Sequence, residues 1–156
     1  MNSSHYSSII RAYSSRYDYA QEALNLYTKI LNKNIQPNDV IFQYTLYACS
    51  KLGNVKFAHD VLSQMKALNF QINSHHVHSI IKTYAVAVST EFVPEHLIKL
   101  YLQDGWDLLN KCLILDHEKK NQMQNLENVE DDDLLVTSQV LNALLYLNVC
   151  LSLIHI

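Results

Sequence analysis

Two stretches of this chain repeat one another at a fixed spacing, and that periodicity limits the possible folds more than any other property. Ala23 recurs as Ala58, Ile30 as Met65 and Ile35 as Phe70, each pair 35 positions apart. Upstream, Ile9-Ile10-Arg11-Ala12 answers to Thr45-Leu46-Tyr47-Ala48 at an offset of 36, and one extra residue within 14–19 accounts for the slip. Self-similarity at such a period marks stacked helical hairpins, in which no unit can bury its apolar face without a neighbour. Only 2 glycines and 2 prolines in 156 residues leave too few chain breakers for a meandering β protein, and 49% apolar content supplies a continuous core. The predicted fold class is therefore all-α: an α-solenoid of tandem helical hairpins, about three copies plus a terminal helix.

The first copy spans 3–38. Tyr6, Ile9, Ile10 and Tyr13 fall on one face of a helix predicted over 6–16, and Ala23, Leu26, Tyr27 and Ile30 form the stripe of a second over 19–31. Asp18 is the expected cap of that second helix. Pro37 stops any helix, and Asp39 is the expected cap of the helix after it. The second copy, 39–73, has helices over 40–51 and 55–68, joined at Leu52-Gly53-Asn54 with Gly53 free to take the left-handed conformation. The third, 74–116, is divergent and extended: Val77, Ile80, Ile81 and Tyr84 keep the register, and Pro94 opens a long helix reaching about Asp116. Residues 117–133 end in Glu130-Asp131-Asp132-Asp133 and read as a solvated acidic loop, placed where its charge suits the dipole of the next helix. Residues 134–156 form a terminal apolar helix, the expected first helix of a fourth copy. It falls short of about 20 clean apolar residues and carries Asn142, Asn148 and Ser152, so burial under another helix is the expected state and a membrane span is not.

Several chemistries are disfavoured. Cys49, Cys112 and Cys150 are scattered and odd in number, which suits buried thiols and neither a disulfide framework nor a zinc site. His75, His76 and His78 point in different directions on a helix and have no carboxylate or cysteine at ligand spacing, so no metal is expected there. The acidic triplet lacks the glycine and later glutamate of a calcium loop. No phosphate loop, nucleophile–base pair or cofactor fingerprint is present, so neither an enzyme nor a cofactor is expected. Residues 1–8 lack the features of a signal peptide. Charge is uneven: residues 1–88 hold 8 Lys/Arg against 4 Asp/Glu, and the remainder holds 4 against 11. Affinity for a polyanion belongs in the first half.

The copies resemble the pentatricopeptide repeat family. Residues 40–73 match best, with Phe42 at the aromatic position, Ala48 and Ala58 at the small helix-contact positions, Leu52-Gly53-Asn54 at the turn and Val61-Leu62-Ser63-Gln64-Met65-Lys66 in the second-helix core. Residues 3–38 keep the Ile35-Gln36-Pro37-Asn38 ending. The tetratricopeptide repeat is the competing resemblance, and its Trp, Leu-Gly and Tyr positions are not met. The family resemblance implies binding of single-stranded RNA at about one base per repeat. The side chains carried over are Ser7, Gln43 and His78 at the first-helix positions and Asn38 and Asn73 at the repeat ends. Ser7 with Asn38 is similar to a pair the family uses for adenine; Gln43 with Asn73 is not a familiar pair, and His78 has no regular partner. The implied role is that of a structural RNA-binding subunit of an organellar ribonucleoprotein, as in a mitochondrial ribosome, with RNA or rRNA and neighbouring protein subunits as partners. Mitochondrial location follows from the resemblance alone. The alternative is a helical-repeat protein–protein adaptor that binds no RNA.

Overall fold

A computed structural model describes residues 2–90, 92–123 and 137–154. Among these residues seven α-helices follow one another: α1 Ser3–Ser15, α2 Ala20–Asn32, α3 Asp39–Leu52, α4 Val55–Ala67, α5 Ser74–Thr90, α6 Glu95–Met123 and α7 Ser138–Ile154. The first helix of each hairpin packs on the first helix of the next, α1 on α3, α3 on α5 and α5 on α7. The second helices α2, α4 and α6 each pack between their own first helix and the following one. The result is the two-layer solenoid that the repeat demands.

The apolar stripes read from the sequence form a main core through the hairpins and a second cluster of Val77, Ile81, Leu109, Cys112, Val140 and Leu144. Ile10, Ala23, Ile30, Phe42, Leu46, Ala48, Ala58 and Val61 are all wholly buried. Ala48 and Ala58 let backbones approach, and the aromatic rings tie one hairpin to the next. The Phe42 centroid lies 6.2 Å from that of Tyr27 in the preceding hairpin and 5.0 Å from that of Phe70. Nearer the C-terminal end, the His59 ring contacts Tyr84, whose hydroxyl is 2.8 Å from His59 Nε2, and Tyr84 stacks on Tyr101 of α6 at 5.3 Å. Burial pushes the thiols of Cys49 and Cys112 up, to about 12 and about 11. Such thiols stay protonated and unreactive at neutral pH.

The helix ends correct several expectations. Asp39 does not cap α3: Asn38 does, its Oδ1 accepting from the Ile41 N–H at 2.9 Å, and Asp39 is the first helical residue. Asp18 does not cap α2 either; it lies in a 3-10 turn over Tyr17–Tyr19, and α2 starts from Tyr19 with no side-chain cap. The extra residue of the first copy is absorbed in that turn. Asparagine is the cap the repeat uses. Asn2 accepts from the His5 N–H in α1. In α5 the Asn73 Oδ1 accepts from the His76 N–H at 3.0 Å while the Asn73 N–H donates to His76 Nδ1 at 3.1 Å. These are reciprocal capping boxes with His in the place of Glu or Gln. The second helices close on Asn34 and Asn69, at φ 54 and 57, and α3 closes on Gly53 at φ 66, the left-handed conformation expected of it. The helix after Pro94 continues to Met123, seven residues beyond Asp116, so 117–123 is helix where a loop was expected. Its lysines and amides are exposed there and cost the helix little. The acidic triplet lies outside the described residues.

His76 gives this capping arrangement a pH dependence. Because Nδ1 accepts a backbone hydrogen bond, the ring proton sits on Nε2, which is buried, has no hydrogen-bond partner among the described residues, and lies 3.7 Å from Asp39 Oδ1. Burial lowers the imidazole to about 4, outweighing the opposing pull of Asp39. The unfolded chain, with an ordinary value near 6.5, binds the extra proton first. The stability that the neutral ring contributes is complete above pH ~6.5 and is lost as pH falls towards ~4. His76→Gln retains a capping-box residue and removes the titration, so its melting temperature should vary less with pH across that window. An unchanged slope in the variant would assign the acid sensitivity to other groups.

Candidate nucleic-acid interface

The two helix layers differ in charge. The first-helix layer carries Arg11 on α1, Lys51 on α3 and Lys82 on α5, against the single carboxylate Asp39. α7 carries no charge. The second-helix layer carries seven lysines and seven carboxylates. The sequence showed a basic half, and two of its four excess positive charges fall on the first-helix layer.

Aromatic rings are interleaved with these cations. The Arg11 guanidinium lies 5.6 Å from the Tyr44 centroid and so bridges α1 and α3. Lys51 lies 4.8 Å from the Tyr47 centroid, and its Nζ donates to the Ser15 carbonyl at 2.6 Å. Between α5 and α7 an open cleft of about 610 Å³ is lined by His78, Lys82, Val86, Gln139, Asn142 and Tyr146, residues of first helices only. Tyr146 is 52% exposed there. Burial, and then Lys82, lower the His78 imidazole. His78 therefore enters the cleft as a neutral donor–acceptor and Lys82 supplies the charge. Cations with aromatic rings beside them are the arrangement that holds a single strand, by phosphate contact and base stacking.

The side chains singled out from the sequence occupy different situations. Ser7 and Asn38 are brought together across 31 residues: Asn38 Nδ2 donates to Ser7 Oγ at 2.9 Å, and Ser7 Oγ lies within donating distance of the Ser3 carbonyl at 3.0 Å. Asn38 also caps α3, so its amide is held rigidly. One further N–H on Asn38 and one lone pair on Ser7 remain for another partner. Gln43 and Asn73 make no hydrogen bond to one another among the described residues; Gln43 is half-buried and Asn73 is committed to the α5 cap. His78 lines the α5–α7 cleft, whose other wall was not foreseen. Gln139, Asn142 and Tyr146 were missed because the pattern weakens after Thr90. Arg11, Tyr44, Tyr47, Lys51 and Lys82 were missed because they belong to no motif. Their recurrence at one helical level (Arg11, Tyr47, Lys82 and Asn142 are equivalent positions) was the available signal.

Among the described residues no group of three or more His, Cys, Asp or Glu stands close enough to hold a metal ion. Among them, too, no helix is long and apolar enough to cross a membrane.

No protein-family model matches the chain. Two curated proteins of Arabidopsis thaliana are similar to parts of it. Pentatricopeptide repeat-containing protein At3g16610 is 30% identical over 77 residues, covering 49% of this chain and 12% of that protein. Pentatricopeptide repeat-containing protein At4g30700 is 44% identical over 45 residues, 29% of this chain and 6% of that protein. The matched segment is thus a small part of either relative. Repeat period, two-layer hairpin stacking and these matches agree, and the chain is similar to the pentatricopeptide repeat proteins.

Proposed function

We propose that the face of the first-helix layer turned away from α2, α4 and α6 binds single-stranded RNA. The observation that carries this is the concentration of Arg11, Lys51 and Lys82, interleaved with Tyr44, Tyr47 and Tyr146, on a layer with one carboxylate. Phosphates lie along the cations, and bases stack on the rings. Ser7 and Asn38 offer an acceptor and a donor side by side, complementary to the Watson–Crick edge of adenine; His78 with Gln139 and Asn142 meets a second base in the α5–α7 cleft. These hairpins contact a few nucleotides, and their binding adds to that of neighbours. The protein is accordingly a structural RNA-binding component of an organellar ribonucleoprotein, and the mitochondrial ribosome is the assembly we propose.

The test is binding of a short adenine-rich RNA as salt is raised. Affinity should fall steeply with salt, and Arg11→Ala with Lys82→Ala should weaken it at least ~10-fold and flatten the salt slope by about 0.7 for each phosphate no longer neutralised. Tyr146→Ala should cost a further ~5-fold or more, as removal of a stacking platform does. Crosslinking in cell extract identifies the assembly. Crosslinks to protein alone, with RNA absent even at low salt, would establish the adaptor reading instead.

A further inference from the structure

The seams between successive first helices are not alike. Position for position, Lys82 and Val86 of α5 answer to Arg11 and Ser15 of α1, and Gln139, Ala143 and Tyr146 of α7 answer to Tyr44, Ala48 and Lys51 of α3. In the α1–α3 seam these side chains bridge the gap twice. The Arg11 guanidinium lies 5.6 Å from the Tyr44 centroid, and one turn further on Lys51 Nζ donates to the Ser15 carbonyl at 2.6 Å. The equivalent pairs of the α5–α7 seam, Lys82 with Gln139 and Val86 with Tyr146, make no such bridge among the described residues. That seam stays open as the cleft of about 610 Å³, and a described helix forms each of its walls.

The open cleft is longer than one base requires. From His78 to Val86 it follows a little over two turns of α5, about 12 Å, whereas stacked bases lie about 3.4 Å apart. It therefore runs on past the base that His78 and Gln139 meet. Ala85 and Ala143 line it there, and side chains so small leave it deep. Lys82 and Asn142 stand at this further level, one from each wall, and Tyr146 follows one turn beyond Asn142. None of the three commits its side-chain polar group to a hydrogen bond or an ion pair among the described residues. A cation, an amide and a ring around such a slot suit one nucleotide: the cation meets its phosphate, the amide its base edge and the ring its base. We infer that the α5–α7 seam takes two consecutive nucleotides, the second inserted past His78 between Lys82 and Tyr146, while the bridged α1–α3 seam takes one. This rests on the RNA-binding reading above and departs from one base per repeat at a single seam.

The test is binding of oligoadenylates, lengthened one nucleotide at a time at low salt. Affinity for the wild type should stop rising one nucleotide later than affinity for Ala143→Leu, which fills the cleft and leaves every cation and ring of the face in place. At that longer length the wild type should bind at least ~5-fold more tightly, the worth of one stacked base. Ala143 also packs against the second core cluster, so Tyr146→Ala supplies an independent reading. Tyr146 is half-exposed, so the helical content should be retained, and loss of its ring should bring the plateau forward by the same nucleotide. Equal plateau lengths in the wild type and both variants would overturn the inference and leave RNA binding standing. Failure of the wild type to bind any oligoadenylate at low salt would remove the RNA reading and the inference with it.

Discussion

Phe42→Ala is expected to destabilise the protein by about 3–5 kcal/mol, a large share of the stability of a domain of this size. The ring is wholly buried and stands between hairpins, against Tyr27 on one side and Phe70 on the other. Its removal takes apolar area from the core and leaves a cavity that two aromatic neighbours, each fixed by its own packing, cannot fill. The melting temperature should fall by roughly 6–20 °C. Phe42→Leu, which retains most of the volume, should cost about half as much or less. If Phe42→Ala lowered the midpoint by only a degree or two, the contact between the first two hairpins would not be a cooperative junction. In a solenoid such a junction matters doubly, because each hairpin is stable only through its neighbours.

Gly53→Ala is the second substitution with a large expected effect, about 2–4 kcal/mol. Two causes combine. At φ 66 a side chain is strained by about 1 kcal/mol, and an added Cβ would lie 2.9 Å from the backbone nitrogen of Ala87 and 3.0 Å from its Cα. Backbone cannot rotate away as a side-chain tip can, so α5 must shift relative to α3. Asn34 and Asn69 show that asparagine can hold the left-handed conformation where space allows. Gly53→Asn therefore separates the causes. If close packing dominates, Gly53→Asn is as damaging as Gly53→Ala; if it melts like the wild type, conformation alone set the requirement for glycine. The same comparison at Asn34, changed to glycine, should move the midpoint little.

The sequence alone carried the hairpin period, because burial repeats wherever the same stacking repeats. Ala23 and Ala58, Ile30 and Met65, and the left-handed Gly53 could all be read before any coordinate, since each answers to a local rule of spacing or backbone sterics. Helix ends were less legible. Asn38 and Asp39 are adjacent and both cap well in isolation. The choice of Asn38 reflects a partner 31 residues away, because its amide can cap α3 and donate to Ser7 at once, which a carboxylate cannot. The reach of α6 to Met123 was likewise hidden, since the polar composition of 117–123 resembles a loop and only its place at the end of a long packed helix carries it on. The candidate interface was least legible. Ser7, Asn38 and His78 came from a motif, but the track of Arg11, Lys51 and Lys82 with Tyr44, Tyr47 and Tyr146 spans four helices and 136 positions. No local pattern links those residues. Their common face exists because the first helices lie side by side, and that is a property of the stacking, set by burial between hairpins rather than by any one of them. The chain's own order thus determined the repeating unit; the packing of unit on unit decided which charges and rings would share a surface.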